Sequence, residues 1–281
     1  EEYAKNIITL LDDGNTIPFI ARYRKEMHGS MDDQLIREFA EKLEYLRGLD
    51  KRRDEIRSLI DTQEKLTDEI NLALDKAATL SELEDIYRPY RPKRKTRASI
   101  AKEKGLEPLA NDILKQEKGF DPSKSAVDYI DEEKGVTSVE DAIQGAMDII
   151  AELVSDNAEI RKRIRNLTNA NGVLVSVATD EEKDSVYKNY YDYKEPVKKI
   201  AGHRVLAVNR GEKEGFLKVS VETDSEKPLN SIFRAMITDK NQLCSDIIRE
   251  ACTDAYQRLI YPSIEREVRN DLTDTAAENA M

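Results

Sequence analysis

A short segment between Arg88 and Lys104 concentrates positive charge in a chain whose formal net charge is −11. We call it the basic segment: it carries +7, whereas the rest of the 281 residues carries −18. Lysine and arginine neutralise phosphates and release counterions whatever the base sequence, so clustered cations favour contact with a nucleic-acid backbone. The basic residues of the segment are Arg88, Arg91, Lys93, Arg94, Lys95, Arg97, Lys102 and Lys104.

Two prolines and two tyrosines accompany the cations of the basic segment. The prolines restrict its backbone, and the tyrosines offer aromatic rings. Pro89 and Pro92 are excluded from a helix interior, so residues 88–98 are predicted to be extended or turn-like. Tyr87 and Tyr90 alternate with the cations and could stack on unpaired bases. The alternative is a solvated linker, or a loop whose cations face a protein or pair with acids of the same chain. Exposed pairs contribute only about 0–1 kcal/mol each, so we favour nucleic acid while keeping both alternatives open.

A second, smaller basic group lies near the start of the chain. Arg22, Arg24 and Lys25 stand beside Phe19 and Tyr23. We predict that the aromatic members belong to the core. The cations are candidates for additional phosphate contacts, and the alternative for the arginines is to fix a buried carboxylate.

The sequence offers little for catalysis. Its two histidines, His28 and His203, are predicted to be structural, and no nucleophile elbow, zinc-protease motif or phosphate-binding glycine loop is present. A nuclease would need clustered carboxylates around Mg²⁺, but the acids at 12–13 and 131–133 lie in predicted loops without companion ligands. We therefore predict that the protein is not an enzyme and uses no metal or cofactor.

Cysteine usage and hydropathy indicate the compartment. Cys244 and Cys252 lie eight residues apart, which suits neither a zinc site nor a disulfide within one helix. Both are predicted to be reduced core residues of a cytoplasmic protein. No apolar run approaches the roughly 18 residues of a membrane span. The opening EEYAKNII lacks the pattern of a signal peptide, and without an initiating Met we expect a piece of a longer chain.

In most of the chain that positions these residues, the apolar residues recur at the spacing of a helix. It predicts a helix over 3–13, a long helix over 31–61, and a helical run over 138–169 that is interrupted near 155–157. The predicted N-caps are Ser30, Thr67, Ser81 and Thr137.

After Asn171-Gly172 the spacing of apolar residues is no longer that of a helix. Residues 172–178 are β-branched and predict a strand, and 203–211 and 214–222 predict two more extended pieces around a turn. The predicted fold is therefore mainly α and multi-helical, with a small β insertion near 172–222. A tyrosine cluster is predicted to pack at the core and edge of this insertion, with base stacking as the alternative. Its members are Tyr187, Tyr190, Tyr191 and Tyr193.

Five segments, spanning about 15 to 280 in order, carry a resemblance to a known family. They are IPFIARYRKEMHG, LEYLRGLDKRRDEI, LEDIYRPYRPKRKTRASIAKEKGLEPLA, HRVLAVNRGEKEGFLKV and YPSIEREVRNDLTDTAAENA. In these segments the chain resembles the bacterial Tex family of transcription accessory proteins. It departs from the family pattern at Arg88, where an apolar residue is expected.

The change of period predicts a helical N-terminal region over 1–171, which contains the basic segment, and the resemblance implies a helix-turn-helix-like part within it. A β-containing part with C-terminal helices is expected over 172–281. RNase H-like, helix-hairpin-helix and S1 domains follow in family members and are expected to lie outside this chain. The family implies binding to RNA or DNA in transcription, without established catalysis and with much of the RNA binding in the S1 domain. The alternative is a module that docks on RNA polymerase, ribosome-associated proteins or the family's other domains.

Overall fold

The structure is a computed structural model that describes residues 2–278. The chain divides after Tyr90 into two compact units, which we call the first and second units. The division that the sequence suggested at residue 171 is a different one and stays a prediction.

The first unit is entirely helical. Two clusters of apolar side chains form its core, one around Ile7, Ile20 and Ile36 and the other around Ile56 and Leu83. The long helix α4 contributes to both clusters, which is why it can run for 29 residues. The helices are α1 (Glu2–Asp12), α2 (Ile17–Tyr23), α3 (Lys25–His28), α4 (Asp33–Asp61), α5 (Asp68–Lys76) and α6 (Leu80–Tyr87), followed by a 3₁₀ turn (Arg88–Tyr90).

Local backbone geometry sets the helix starts in the first unit. The N-cap of α4 is Asp32, whose carboxylate accepts a backbone hydrogen bond of 2.8 Å. The predicted cap at Ser30 is wrong: Ser30 has a positive φ of 62° and belongs to the left-handed exit from α3. The cap at Thr67 is confirmed, whereas α6 is capped by Thr79 and not by Ser81.

The second unit packs helices around a larger core and carries a small sheet. A central set of buried apolar residues, including Ile150, Val154, Ile248 and Ile264, joins several of its helices. The elements are α7 (Arg97–Glu103), α8 (Glu107–Lys115), α9 (Pro122–Ala126), α10 (Val139–Ser155), α11 (Ala158–Asn171), β1 (Val173–Ala178), β2 (Asp192–Pro196), α12 (Gly202–Lys213), β3 (Leu217–Glu222), α13 (Glu226–Met236), α14 (Gln242–Asp254) and α15 (Tyr261–Glu278).

The helical run predicted over 138–169 is confirmed, with its interruption between α10 and α11. The N-cap of α10 is Ser138, one residue after the predicted Thr137, and its hydroxyl accepts a 3.1 Å hydrogen bond from the Asp141 amide. A π-helical turn (Ala255–Ile260) joins α14 to α15 without a break in the backbone spiral. Tyr256 lies within this turn and Tyr261 follows it, with their ring centroids 5.9 Å apart.

The three strands form an antiparallel sheet in the order β2-β1-β3, with Val175 opposite Lys194 and Ser220. A mainly α fold with a small β insertion is therefore confirmed. The extended piece predicted over 203–211 is wrong, because these residues form helix α12. Val205 and Val208 are buried three residues apart, which is a helical spacing that the β-branched composition concealed.

The tyrosine cluster packs as predicted, at the core and edge of the sheet. Tyr187 is buried beside Leu174 and Leu217, and the other three tyrosines pack around them partly exposed. Gly211 of α12 belongs to the same contact: a Cβ there would lie 2.5 Å from Leu217 Cδ1, so α12 approaches β3 closely only with glycine.

A buried ionic network ties α11 to α15. Arg161 Nη2 lies 2.8 Å from Glu267 Oε1, and Arg165 Nη2 lies 2.8 Å from Glu267 Oε2. Arg161 also donates a 3.0 Å hydrogen bond to Ser263 Oγ. The Arg161 side chain is only 1% exposed, so its charge lies away from water and its ion pair with Glu267 offsets part of the cost of burying it.

Cys244 and Cys252 are buried, unpaired by any disulfide, and part of the main core, as predicted. Burial raises the pKa of the Cys252 thiol to about 12. Within residues 2–278, no helix is both long and apolar enough to cross a membrane.

Candidate nucleic-acid interface

The basic segment crosses the division between the units. Arg88 belongs to the 3₁₀ turn that closes the first unit, and the second unit begins at Arg91. Residues 91–96 adopt neither helix nor strand, in agreement with the two prolines. Helix α7 then begins at Arg97, one residue before the end of the predicted non-helical stretch.

A capping box makes the start of α7 well defined. The Thr96 hydroxyl accepts a 3.0 Å hydrogen bond from the Ser99 amide, and the Ser99 hydroxyl accepts a 2.8 Å bond from the Thr96 amide. Two orphan backbone donors are thus satisfied reciprocally. Thr96 Oγ1 also donates a 3.0 Å hydrogen bond to Glu152 of α10, which fixes the segment to the helical core.

Lys93 is a second anchor between the basic segment and α10. Its ammonium group forms an ion pair with Asp156 and lies 3.6 Å from Glu152. The two carboxylate side chains are only 13% and 20% exposed, so this attachment is partly shielded from water. Lys93 is therefore engaged by the chain itself and holds the segment in place.

The other lysines make weaker internal contacts. Lys95 lies 3.4 Å from Glu103, and Lys102 lies 3.4 Å from Glu107. Both pairs are about half exposed or more, where ion pairs contribute little. Lys104 donates a 2.9 Å hydrogen bond to the carbonyl oxygen of Gly135.

Three arginines of the basic segment lie in the second unit. Arg91, Arg94 and Arg97 are exposed. In the part of the chain that the structure describes, Arg94 and Arg97 make no ion pair. Arg97 lies close enough to Asp148 to act on its pKa, which burial raises and the positive charge of Arg97 lowers in part. Arg88 is half-buried.

Tyr87, directly before the basic segment, and Tyr90, within it, are placed differently from the exposed cations. Tyr87 is buried in the core of the first unit, and the Arg52 guanidinium lies over its ring, 5.7 Å from the centroid. Tyr90 is half-buried, and its carbonyl oxygen accepts a 2.9 Å hydrogen bond from Gln63. Neither ring presents an open face for stacking comparable to that of the rings described next.

The second basic group combines exposed cations with exposed aromatic rings. The prediction that Phe19 and Tyr23 belong to the core is wrong: they are 37% and 61% exposed, because the neighbouring isoleucines of α2 supply its buried face. Their ring centroids lie 5.3 Å apart, and the Arg24 guanidinium lies 5.8 Å from the Phe19 centroid. Arg22 and Lys25 are also exposed. This group lies in the first unit, whereas residues 91–104 of the basic segment lie in the second.

No local sequence pattern indicates the acidic partners on α10. Glu152 and Asp156 are more than 50 residues from Thr96 and Lys93 in the chain, and only the fold brings them together. Residues 2–278 contain no group of three or more His, Cys, Asp or Glu side chains arranged to hold a metal ion.

Comparisons with known proteins place the chain in a family. Residues 117–281 match the family described as Tex central region-like, and residues 1–61 match the Tex-like protein N-terminal domain. The chain belongs to the Tex family. Its resemblance to that family is thereby confirmed.

Three curated relatives show how much of a Tex protein the chain spans. It is 44% identical over 284 residues to the uncharacterized protein YdcI of Bacillus subtilis, covering 100% of this chain and 40% of that protein. It is 35% identical to the transcriptional accessory protein Tex of Neisseria gonorrhoeae, covering 98% of this chain and 37% of that protein. Human S1 RNA-binding domain-containing protein 1 is 30% identical, with 98% and 29% covered. The chain thus spans 40% or less of the length of these relatives.

Proposed function

We propose that this chain is a non-enzymatic scaffold of a cytoplasmic transcription accessory factor and binds RNA or DNA through their phosphate backbones. The observation that carries the proposal is a set of exposed cations, Arg94, Lys95 and Arg97, on a segment anchored by Lys93. Anchoring matters because ordering a flexible loop on binding costs conformational entropy. A segment already fixed by Lys93 and Thr96 avoids much of that cost.

The proposed contact is independent of base sequence. Guanidinium and ammonium groups on an extended segment meet phosphates, and no array of side chains suited to reading base edges accompanies them. Lys102 lies on α7, next to this array, and adds a further exposed charge. Binding should therefore be strongly salt-dependent and similar for different sequences.

The first unit offers a separate contact of a different kind. Phe19 and Tyr23 present a tilted pair of rings beside Arg22, Arg24 and Lys25. Aromatic side chains next to cations are suited to single strands, where stacking contributes about 1–3 kcal/mol per base. We propose that this group favours single-stranded over double-stranded nucleic acid.

The test removes the three exposed cations and compares how steeply nucleic-acid binding falls with salt in the variant and in the wild type. The variant Arg94→Gln/Lys95→Gln/Arg97→Gln should bind a single-stranded RNA more weakly at 50 mM salt. The slope of log K against log salt should be less steep by about 2, since each phosphate contact contributes about 0.7. Binding is measured by fluorescence anisotropy with a labelled oligonucleotide.

A matched control removes the same charge elsewhere in the second unit. Lys118, Lys198 and Lys213 are exposed, and changing all three to Gln lowers the net charge equally. This control should keep most of the wild-type slope. Equal slopes for both variants would refute the proposed role of the basic segment.

A second candidate function is a docking module for an acidic face of RNA polymerase. The observation that favours it is the 61% exposure of Tyr23, since exposed aromatics beside arginines are typical of protein interfaces. Under this alternative, Phe19→Ser/Tyr23→Ser reduces co-sedimentation with purified polymerase and leaves the affinity for RNA unchanged. Under the nucleic-acid proposal the same variant weakens RNA binding.

A further inference from the structure

A groove between α11 and α13 in the second unit is lined by three basic residues, none of which belongs to the basic segment. Its volume is about 440 Å³. The residues that line it are Arg163, Leu167, Lys227, Asn230, Ser231 and Arg234.

Helical spacing places these residues on two facing walls. On α13 the lining positions 227, 230, 231 and 234 follow the i, i+3, i+4, i+7 pattern of one helix face. The opposite face of α13 is buried through Pro228 and Ile232. On α11, Arg163 and Leu167 are four residues apart and therefore also share a face. The two helices pack directly against each other.

The groove collects three cations and no carboxylate. Across residues 2–278, Arg163, Lys227 and Arg234 make no ion pair, although the chain as a whole has an excess of acids. The contrast within α11 is informative, because Arg161 and Arg165 turn to the other side and share Glu267. Like charges facing one cavity repel each other, and an anion bound between them relieves that repulsion.

We propose that this groove binds a phosphomonoester or polyphosphate group. Two guanidinium groups and one ammonium group offer a charge of +3, which exceeds the single negative charge of an internal phosphodiester. A terminal phosphate carries about −1.5 to −2 near neutral pH, and a diphosphate carries more. Arginine binds such oxygens in a bidentate manner.

The remaining lining residues suit the rest of such a ligand. Asn230 and Ser231 supply neutral hydrogen-bonding groups, and Leu167 supplies an apolar wall. The volume falls within the range of about 300–1,000 Å³ that is usual for small-molecule pockets. The two sources of this chemistry are a free nucleoside diphosphate and the 5′-phosphorylated end of an RNA strand. The inference is independent of the proposed backbone contact, because no residue of the basic segment lines the groove.

The test is isothermal titration calorimetry of the whole chain with sodium pyrophosphate at constant ionic strength. We expect saturable binding of one pyrophosphate per chain. Arg163→Gln/Arg234→Gln should raise the Kd at least tenfold. Lys227→Gln, which removes one positive charge instead of two, should raise it about threefold. Urea unfolding of each variant confirms that the fold is retained.

The matched control is Arg266→Gln/Lys213→Gln, which removes two exposed cations outside the groove. It should change the Kd less than twofold, as should the triple variant of the basic segment. Absence of saturable binding, or equal weakening by the control, would overturn the proposal.

Two further titrations distinguish the sources. ADP represents the free nucleotide, and a 5′-phosphorylated RNA decamer is compared with its 5′-hydroxyl counterpart. Tighter binding of ADP than of AMP, lost in Arg163→Gln/Arg234→Gln, assigns the groove to a free nucleotide. A 5′-phosphate preference lost in the same variant assigns it to an RNA end.

Discussion

Replacement of Glu267 by Gln should destabilise the second unit severely. The carboxylate forms ion pairs with two guanidinium groups whose side chains are 1% and 10% exposed. Breaking a buried ion pair from one side typically costs about 3–5 kcal/mol. Glu267 itself is 31% exposed, and water reduces the loss, so we expect about 2–4 kcal/mol.

Urea unfolding followed by circular dichroism measures this loss. With a slope of roughly 2 kcal/mol per molar urea, the midpoint of the second unit should fall by about 1–2 M. Hydrogen exchange of peptides from α11 and α15 then shows whether the loss is located where Arg161 and Arg165 meet Glu267. Protection in the first unit should not change.

The matched control is Asp274→Asn, which removes an exposed carboxylate from the same helix. It should cost less than about 0.5 kcal/mol. A further variant, Arg161→Met/Arg165→Met/Glu267→Leu, removes the charges together. It should be more stable than Glu267→Gln, since replacing a whole buried ionic group by apolar residues is often neutral or stabilising. If Glu267→Gln and Asp274→Asn lost the same small amount, the argument that burial makes this network costly to break would be refuted.

Three other predictions concern acid sensitivity, thiols and a helix cap. Burial raises the pKa of Glu212, but the hydrogen bonds and charge of Arg269 outweigh it, so the pKa lies below its usual range. A carboxyl group whose pKa is lower in the folded than in the unfolded protein stabilises the fold at pH values above its unfolded pKa. This stabilisation is lost as the pH falls through the folded pKa. The stability difference between wild type and Glu212→Gln, about 1–2 kcal/mol at pH 7, should therefore shrink towards pH 3 in urea titrations. Cys244 and Cys252 should react with a disulfide reagent at pH 8 at least a hundredfold more slowly in the native protein than in 6 M guanidinium, because burial raises both thiol pKa values; rapid reaction of the native protein would contradict their burial. Asp32→Ala should cost about 1 kcal/mol through loss of the α4 cap, whereas Asp32→Asn should retain most of it, and equal losses in thermal unfolding would show that the cap is not the cause.

Much of the fold follows from local patterns in the sequence. The long helix α4 and the break between α10 and α11 were predictable because apolar spacing and caps act over a few residues. The prediction for residues 203–211 failed for a physical reason. Val205 and Val208 are β-branched and favour a strand by composition, whereas their burial three residues apart is set by packing in the folded second unit.

For the basic segment, the sequence predicts a non-helical backbone over residues 91–96 but not the contacts that hold it. Charge and proline content marked the basic segment. The role of Lys93 depends on Asp156, 63 residues away, which no local pattern reveals. The exposure of Phe19 and Tyr23 was also missed, since aromatic residues are more often buried than exposed.

The π-helical turn at Ala255–Ile260 determines which faces of α15 point towards α11 and α12. A π-helical turn closes i→i+5 hydrogen bonds and so takes up one residue more than an α-helical turn. If these residues formed an ordinary α-helix instead, α15 would be rotated by the roughly 100° that one residue occupies. Glu267 would then point away from α11, and Arg269 away from Glu212. The faces that α15 presents to α11 and α12 therefore depend on one extra residue in the helix that precedes it.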